Sequence, residues 1–380
     1  MRILTDTASA LDDIVGAVRE MLDGGPALTV LPAGPESWRS RVQHAVMPER
    51  DTDSALVVPT SGSSGDPVGV VLGAEAVRWS AEQTAARLGS PSAWVLALPL
   101  THVAGLMVLA RAVVTGATLT RCRRDDGVPL ARAVHDAADR AQATPRRRAA
   151  ESSSSAISLV PTQLHRLLAD DPGALRRFGH VLVGGAALDP GLRQQAQDAG
   201  VHLVASYGMT QTCGGFVHDG VPLAGAELSL DSSGLISVDG PMLARAYRGP
   251  QHDEPLARPF ATGDVGRWED GRLVVVGRAD DVVTTGGVSV PLTAVDALLR
   301  GHPDVSDAAA VAIPDAEWGA RIVGVVVPDG PCDPAAVRAY VAGQAEAAYV
   351  PQQILVVDGL PRPAPDKVDR AALAALVQEA

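Results

Sequence analysis

Hydrophobic and polar positions follow two different periods along this 380-residue chain. Residues 11–22 carry apolar side chains at helical spacing, which predicts an amphipathic helix capped by Ser9. Residues 74–88 repeat that spacing, whereas 94–98 and 156–160 are short apolar runs typical of buried strands. Helices that alternate with buried strands favour an α/β fold with largely parallel sheets and helices on both faces.

The pattern shifts in the second half of the chain. Short alternating strands at 227–230 and 235–238 predict a small β-subdomain. Beyond it, strands and helices mix over about 100 residues, as in a compact α+β domain. We therefore predict a large N-terminal domain over 1–279, which includes the β-subdomain, and a small α+β domain over 280–380.

Composition excludes several classes of partner. The net charge of −12 argues against nucleic acid or an anionic membrane surface. Cys122, Cys213 and Cys332 are widely spaced and fit a reducing cytosol better than a disulfide framework or a zinc site. The N-terminus lacks the pattern of a secretion signal, and Pro99 interrupts the uncharged run over 93–110. These features predict a soluble, cytoplasmic protein without a membrane span.

The first candidate for chemistry is the stretch PTSGSSG at 59–65, which follows a β-branched run. Glycines let a backbone approach an anion closely, and hydroxyls donate hydrogen bonds to it. The stretch is not the loop of the common NTPases, because no Lys-Ser or Lys-Thr follows it. A solvent loop or flexible linker has the same composition, so both interpretations stay open at this point.

Several candidate turns are each predicted to follow the end of a strand. We expect strands to end at the turns over 59–69, 99–105, 184–186 and 206–211. In open parallel sheets, ligands collect at the carboxyl ends of the strands. The agreement of these turns favours a ligand site over a linker.

The order of motifs resembles the adenylate-forming superfamily of acyl-CoA synthetases, non-ribosomal adenylation domains and luciferases. Within it, five stretches resemble actinobacterial o-succinylbenzoate–CoA ligases of menaquinone biosynthesis, and they are LALPLTHVAGL, VLVGGA, YGMTQTCGGFVHDGVPL, GRADDVVTTGGVSVP and LPRPAPDKVDR. The resemblance implies a ligase that activates an acid as its acyl-adenylate with ATP and Mg²⁺ and then transfers it to CoA. It implies a small aromatic carboxylic acid, ATP and CoA as partners, a mobile C-terminal domain, and no nucleic acid.

The resemblance also implies an ATP site. The hydroxyl-rich loop would grip the pyrophosphate, the glycines after 183 would line the adenine, Tyr207 would stack on it, and Asp264 would hold the ribose beside Arg278. The implied residues are Thr60, Ser61, Gly62, Ser63, Ser64, Gly65, Gly184, Gly185, Ala186, Tyr207, Gly208, Met209, Thr210, Asp264 and Arg278.

Further roles follow from the same resemblance. Lys367, the single lysine of the chain, would be the catalytic residue, and Asp280 would be the hinge between the domains. Gly286 and Gly287 would let the backbone approach CoA. The acyl substrate would lie beside His102, although such a histidine is equally common in a protein core. Thr60 and Gln211 would lie at the magnesium ion.

Three positions depart from the superfamily pattern. Val68 stands where lysine follows the phosphate loop, Gln211 stands where glutamate helps to place Mg²⁺, and Asp366 replaces glycine before Lys367. These departures keep two alternatives open, namely a ligase for another aromatic acid or for a carrier protein, and a nucleotide-binding homologue with weakened catalysis. The sequence leaves the oligomeric state open, with a homodimer as one option.

Overall fold

The computed structural model describes residues 1–6, 10–32, 40, 42–44, 46, 55–61, 67–122, 128–143, 154–249, 254–285, 288–315, 318–362 and 368–379. The chain divides into two compact units. The first comprises residues 1–229, 237–261 and 268–273, and the second comprises residues 230–236, 262–267 and 274–380. Among the described residues, no helix has the length and hydrophobicity needed to cross a membrane.

A five-stranded mixed sheet lies in the first unit. Its strands are β1 (Arg2–Asp6), β2 (Leu28–Pro32), β3 (Ala55–Ser61), β4 (Pro67–Gly73) and β14 (Ala246–Arg248), in the order β1-β2-β3-β4-β14. The pairs β1–β2 and β2–β3 are parallel, whereas β3–β4 and β4–β14 are antiparallel. Helix α1 (Leu11–Leu22) has the predicted bounds, and it buries the stripe that includes Ile14 and Val18.

A seven-stranded sheet is the larger part of this unit. Its strands are β5 (Ala93–Leu96), β6 (Thr118–Arg121), β7 (Ser155–Leu159), β8 (His180–Val183), β9 (Leu203–Met209), β10 (Gly214–His218) and β11 (Val221–Pro222). The order is β11-β10-β9-β8-β7-β5-β6, parallel from β6 to β9 and antiparallel beyond. This sheet confirms the predicted parallel α/β architecture.

Helices flank that sheet because its strands are buried on both faces. Ala93, Val95 and Ile157 alternate onto one face and pack against the helices that follow β6, β7 and β8. The helices of the unit after α1 are α2 (Ala74–Arg87), α3 (Val103–Thr115), α4 (Leu130–Ala143), α5 (Pro161–Asp170), α6 (Gly173–Arg176) and α7 (Pro190–Asp198).

The predicted β-subdomain is a four-stranded sheet in the order β12-β13-β15-β16. Its strands are β12 (Glu227–Leu230), β13 (Leu235–Asp239), β15 (Phe260–Glu269) and β16 (Arg272–Arg278).

The C-terminal part of the second unit is α+β, as predicted. Strands β19 (Val305–Asp315), β20 (Gly319–Pro328) and β21 (Gln353–Val356) form one sheet, and β17 (Val282–Thr285) pairs with β18 (Val288–Pro291). The helices are α8 (Leu292–Arg300), α9 (Pro334–Gln344) and α10 (Arg370–Glu379). Alternate residues of β19 pack against α8 and α9 on one face and against α10 on the other.

Candidate active site

The candidate phosphate loop is the tip of an antiparallel hairpin between β3 and β4. Thr60 pairs with Val68 and Ser61 with Pro67, and the Thr60 hydroxyl donates to the Val68 carbonyl at 3.1 Å. Residues 62–65 lie outside the described part of the chain, so their role stays a prediction. Val68 is 8% exposed, which means that this departure from lysine puts a buried apolar side chain beside the loop.

The turn after β8 approaches the next strand closely. A Cβ on Gly184 would lie 2.8 Å from the Ser206 carbonyl oxygen, so only glycine permits this approach. Gly185 and Ala186 are exposed at the carboxyl edge of the sheet. They are therefore accessible to a ligand at the edge where parallel sheets bind one.

The sequence-based boundary of β9 was wrong. The strand continues to Met209, so Tyr207 and Gly208 lie in a strand and not in the predicted turn. The physical reason is an antiparallel partner, since Gly208 lies opposite Gly215. A Cβ on Gly208 would lie 2.0 Å from the Gly214 carbonyl oxygen, and only glycine allows the two strands to come this close.

A short 3₁₀ helix over Thr210–Thr212 begins the turn. Thr212 is fully buried, its hydroxyl donates to the Gly214 carbonyl at 2.7 Å, and it accepts from the Met209 N–H at 2.9 Å. These bonds fix the chain where β9 ends and β10 begins.

Two side chains of this region have aromatic partners. The Tyr207 and Phe216 rings lie 5.5 Å apart between centroids at 52°. The Gln211 Nε2 amide donates to the Tyr247 hydroxyl at 3.3 Å, and the Gln211 carbonyl accepts from the Ala244 N–H at 2.8 Å. Gln211 is thus held from both its backbone and its side chain.

His102 lies at the N-terminus of α3 and is exposed, which excludes the alternative of a core histidine. Asp6 fixes the preceding loop, because one of its oxygens accepts from the Leu100 N–H at 2.9 Å and the other pairs with Arg121 at 2.6 Å. Sequence reasoning missed Asp6, since nothing local marks the end of β1 as the partner of a loop 94 residues away.

Arg111 is a candidate site residue that the sequence analysis did not identify. It is the one charged residue of α3 and is only 3% exposed. Its Cζ lies 5.2 Å from the centroid of the Trp94 ring, and no carboxylate in the described ranges pairs with it. Burial lowers the pKa of Arg111 to about 10, so it stays cationic at neutral pH. A lone arginine in an apolar helix was the signal available in the sequence.

Further buried polar groups lie on the sheet face that Arg111 covers. Trp94 and Ser158 alternate with the residues that pack on the opposite face, and His218 lies opposite Ser206. The Trp94 Nε1, the Ser158 hydroxyl and both ring nitrogens of His218 are buried without hydrogen-bond partners among the described residues. We call Trp94, Arg111, Ser158 and His218 the polar cluster, and it has unused donors for an anionic or polar ligand.

Asp264 and Arg278 form a pair within the second unit. Arg278 Nη1 lies 3.3 Å from Asp264 Oδ1 and donates to the Thr262 carbonyl at 3.0 Å. The Asp264 N–H in turn donates to the Thr262 hydroxyl at 3.0 Å. Thr262 and Asp264 therefore belong to a regular strand, β15, and not to an isolated turn. Their proposed contacts with a nucleotide stay predictions.

Asp280 lies in a 3₁₀ helix over Ala279–Asp281, and its side chain is 77% exposed. Gly286, Gly287 and Lys367 lie outside the described residues.

These elements define a class of protein. Residues 4–243 match the family model for the AMP-binding enzyme, and residues 294–367 match that for the AMP-binding enzyme C-terminal domain. The chain belongs to the AMP-binding enzyme family.

Individual relatives and one solved structure are also similar to this chain. The chain is 37% identical over 384 residues to a probable 2-succinylbenzoate–CoA ligase of Mycobacterium tuberculosis, covering 98% of this chain and 97% of the relative. It is 29% identical to a 2-succinylbenzoate–CoA ligase of Bacillus licheniformis, covering 84% and 70%. The structure of o-succinylbenzoate CoA synthetase from Bacillus subtilis with its acyl-adenylate intermediate matches with a TM-score of 0.75 at 23% identity, covering 98% and 82%. That structural likeness bears on the fold.

Proposed function

We propose that this chain is an ATP-dependent acid–CoA ligase that converts o-succinylbenzoate to o-succinylbenzoyl-CoA through an acyl-adenylate. The reaction class rests on family membership and on the near full-length likeness to relatives named for this activity. We also propose menaquinone biosynthesis as its pathway and the cytoplasm as its location, where ATP and CoA are both available.

In the first step, an oxygen of the substrate carboxylate attacks the α-phosphorus of ATP, and the bond to the leaving pyrophosphate breaks. The loop from Thr60 to Gly65 holds the pyrophosphate, and Asp264 holds the ribose hydroxyls beside Arg278. Negative charge grows on the α-phosphate in the transition state, and the ammonium of Lys367 offsets it.

The donor set at the phosphates fits a magnesium ion that ATP itself largely holds. The described residues contain no cluster of three His, Cys, Asp or Glu side chains that could hold a metal. Thr60 and Gln211 offer neutral oxygens, and Mg²⁺ often takes most of its ligands from phosphate and water. When bound, the ion neutralises charge on the pyrophosphate that leaves.

In the second step, the thiolate of CoA attacks the acyl carbon, a C–S bond forms, and the C–O bond to AMP breaks. The C-terminal domain turns about Asp280 between the steps, which withdraws Lys367 and brings the backbone at Gly286 and Gly287 to the CoA arm. Such an exchange is a hinge motion of one domain.

The choice of acid rests on one observation, the buried guanidinium of Arg111. The substrate o-succinylbenzoate carries two carboxylates, and only one of them reacts. The other keeps its charge in a dry pocket, where it needs a cationic partner. A guanidinium supplies that charge with paired N–H donors, and Arg111 has no such partner among the described residues.

A ligase with weakened catalysis is the second candidate. Val68 puts a buried isopropyl side chain where the superfamily has an ammonium, and the Gln211 amide donates a hydrogen bond to the Tyr247 hydroxyl. Both features remove charge from the phosphate end of the site. Another aromatic acid or a carrier-protein thiol would use the same chemistry.

The test is pyrophosphate release with a panel of aromatic acids, followed by transfer to free CoA or to a carrier protein. We expect o-succinylbenzoate to give the highest kcat/KM for pyrophosphate release and CoA to be the thiol acceptor. Release with no acid would favour the weakened homologue, and a higher kcat/KM with a monocarboxylic acid would overturn the choice of substrate.

A further inference from the structure

The short hinge segment is anchored on its N-terminal side by Arg278. This residue ends β16, and its guanidinium reaches across to β15, where it contacts Asp264 Oδ1 at 3.3 Å and the Thr262 carbonyl at 3.0 Å. A side chain with two contacts on a neighbouring strand ties the backbone at 278 to the sheet.

A second arginine anchors the other side. Arg370, the first residue of α10, places its Nε 2.7 Å from Asp281 Oδ1 and its Nη2 2.8 Å from Asp296 Oδ2. It also donates to the Ala310 carbonyl. One guanidinium therefore joins the end of the hinge segment to α8, β19 and α10.

The Arg370 contacts are strong because they are largely shielded from water. The side chain of Arg370 is 20% exposed, that of Asp281 24% and that of Asp296 only 5%. Burial alone would lower the pKa of Arg370, but Asp296 and Asp281 outweigh it and raise the pKa.

Asp280 differs from both neighbours in the chain. Its carboxylate lies 3.9 Å from Arg278, and its side chain is 77% exposed. The 3₁₀ turn around it is closed by one backbone bond, from the Val282 N–H to the Ala279 carbonyl. Residues 278 and 281 are thus firmly held, whereas Ala279 and Asp280 between them make few contacts.

We propose that Arg278 and Arg370 are positioning residues that confine the domain rotation to Ala279 and Asp280, with Asp281 held as part of the rotating C-terminal domain. This inference rests on the proposed two-step ligase. A pivot of only two residues allows fewer orientations of the C-terminal domain. The domain therefore stops its rotation in a well-defined position.

The same guanidinium lies close in sequence to the catalytic lysine. Arg370 follows Lys367 by three residues, and the Asp369 N–H bonds to the Pro361 carbonyl at 2.9 Å. Arg370 therefore ties Asp281, at the end of the hinge segment, to a position three residues after Lys367.

The test uses suppression of a blocked hinge. Asp280→Pro fixes one backbone angle, and we expect it to impair thioester formation more than adenylation. Asp281→Asn, added to Asp280→Pro, weakens the contact of residue 281 with Arg370. The backbone can then rotate at residue 281 instead of residue 280. We expect the double variant to recover thioester formation by about fivefold or more, because rotation has a new site. Arg370→Gln should act in the same way.

The matched control is Arg300→Gln. Arg300 shares Asp296 with Arg370, at 3.6 Å, but has no contact with Asp281. It should give no recovery. Loss of the Arg370 charge leaves Asp296 buried with fewer partners, which could unfold the domain. Asp281→Asn and Arg370→Lys are included because both keep a cation beside Asp296. The proposal would be overturned if adding Asp281→Asn to Asp280→Pro restored no thioester formation. It would also be overturned if Asp280→Pro alone formed thioester at the wild-type rate.

Backbone hydrogen exchange separates this inference from the proposed function. Asp281→Asn should speed exchange in residues 279–285 of the protein without substrate, and Arg300→Gln should not. If the wild-type chain forms no acyl-CoA, the proposed function fails while the exchange result still stands. Unchanged exchange in Asp281→Asn would show that Arg370 does not anchor the hinge.

Discussion

Arg111 lies over the ring of Trp94, with its Cζ 5.2 Å from the ring centroid, and this stacking holds a cation inside the first unit. The Nε of Arg111 is buried without a hydrogen-bond partner among the described residues, so it can donate to a ligand. The pair explains how an almost fully buried arginine is tolerated, and the buried charge supports the proposed contact with the second carboxylate.

We expect Arg111→Met to lower kcat/KM for o-succinylbenzoate by about 10- to 100-fold, since hydrogen bonds to charged groups are worth about 1.5–3 kcal/mol. The acids 4-oxo-4-phenylbutanoate and 2-butanoylbenzoate each keep one carboxylate, and whichever of them reacts should lose much less. The unfolding midpoint should not fall, because a buried charge is removed. An equal loss with the single-carboxylate acid would contradict recognition of the second carboxylate.

Gln211→Glu should strengthen the dependence on magnesium and raise the rate of adenylation. An anionic oxygen attracts Mg²⁺ where an amide offers only a dipole, and such electrostatic effects are commonly worth about 2–4 kcal/mol. The Tyr247 hydroxyl can donate to the new carboxylate, so its present contact at 3.3 Å can be kept. Apparent Mg²⁺ affinity and pyrophosphate release at saturating ATP measure the effect.

The control is Tyr247→Phe, which removes the partner of Gln211 without adding charge. It should change the Mg²⁺ dependence little. If Glu at 211 leaves both quantities unchanged, Gln211 does not lie near the metal.

His218 should make the protein sensitive to acid. Burial first, and then the charges of Arg111 and Arg87, lower its pKa to about 3, whereas an unfolded histidine titrates near about 6.5. Below that value the unfolded state binds a proton that the folded state does not, so stability falls as the pH falls from about 6.5 towards 3. Between pH 7 and pH 5 the loss from this residue is about 2 kcal/mol.

The measurement is urea unfolding at both pH values for the wild type and for His218→Gln. The glutamine variant has no titrating ring, so its stability should decline less over the same interval. Equal declines in the two proteins would show that His218 is not held neutral in the folded state.

Lys367→Ala should abolish adenylation and leave thioester formation from supplied acyl-adenylate largely intact. In the proposed mechanism the lysine offsets charge on the α-phosphate, which only the first step requires. The two half-reactions should be followed separately, by pyrophosphate release and by acyl-CoA formation. An equal loss in both would assign Lys367 to folding or to CoA binding.

Local sequence patterns were enough to predict several helices and strands. The helix at 11–22 was predicted to the residue, and the parallel strands β5 and β7 were predicted within one or two residues, because periodicity and apolar runs are local signals. Strands β1 and β2 were not predicted: polar Thr5 and Asp6 end the first run, and Pro32, a residue that strands rarely contain, ends the second.

The site was less accessible from the sequence. Gly208 was assigned to a turn because its role depends on Gly215 in the next strand, and such pairing leaves no local trace. The hairpin of β3 and β4 was taken for a strand that leads directly into a loop, since its register depends on cross-strand contacts. Arg111 and His218 are brought to one sheet face only by the topology, and their lack of described partners is a property of the folded chain.

The central claim, activation of the acid as an acyl-adenylate, can be tested with o-succinylbenzoate labelled with ¹⁸O in both carboxylates. Attack on the α-phosphorus transfers one labelled oxygen, and cleavage of the acyl–O bond by CoA leaves that oxygen on AMP. Mass spectrometry of the nucleotide after one turnover with ATP and CoA should show one ¹⁸O in AMP and none in pyrophosphate. Labelled inorganic phosphate together with ADP, or unlabelled AMP, would contradict the account.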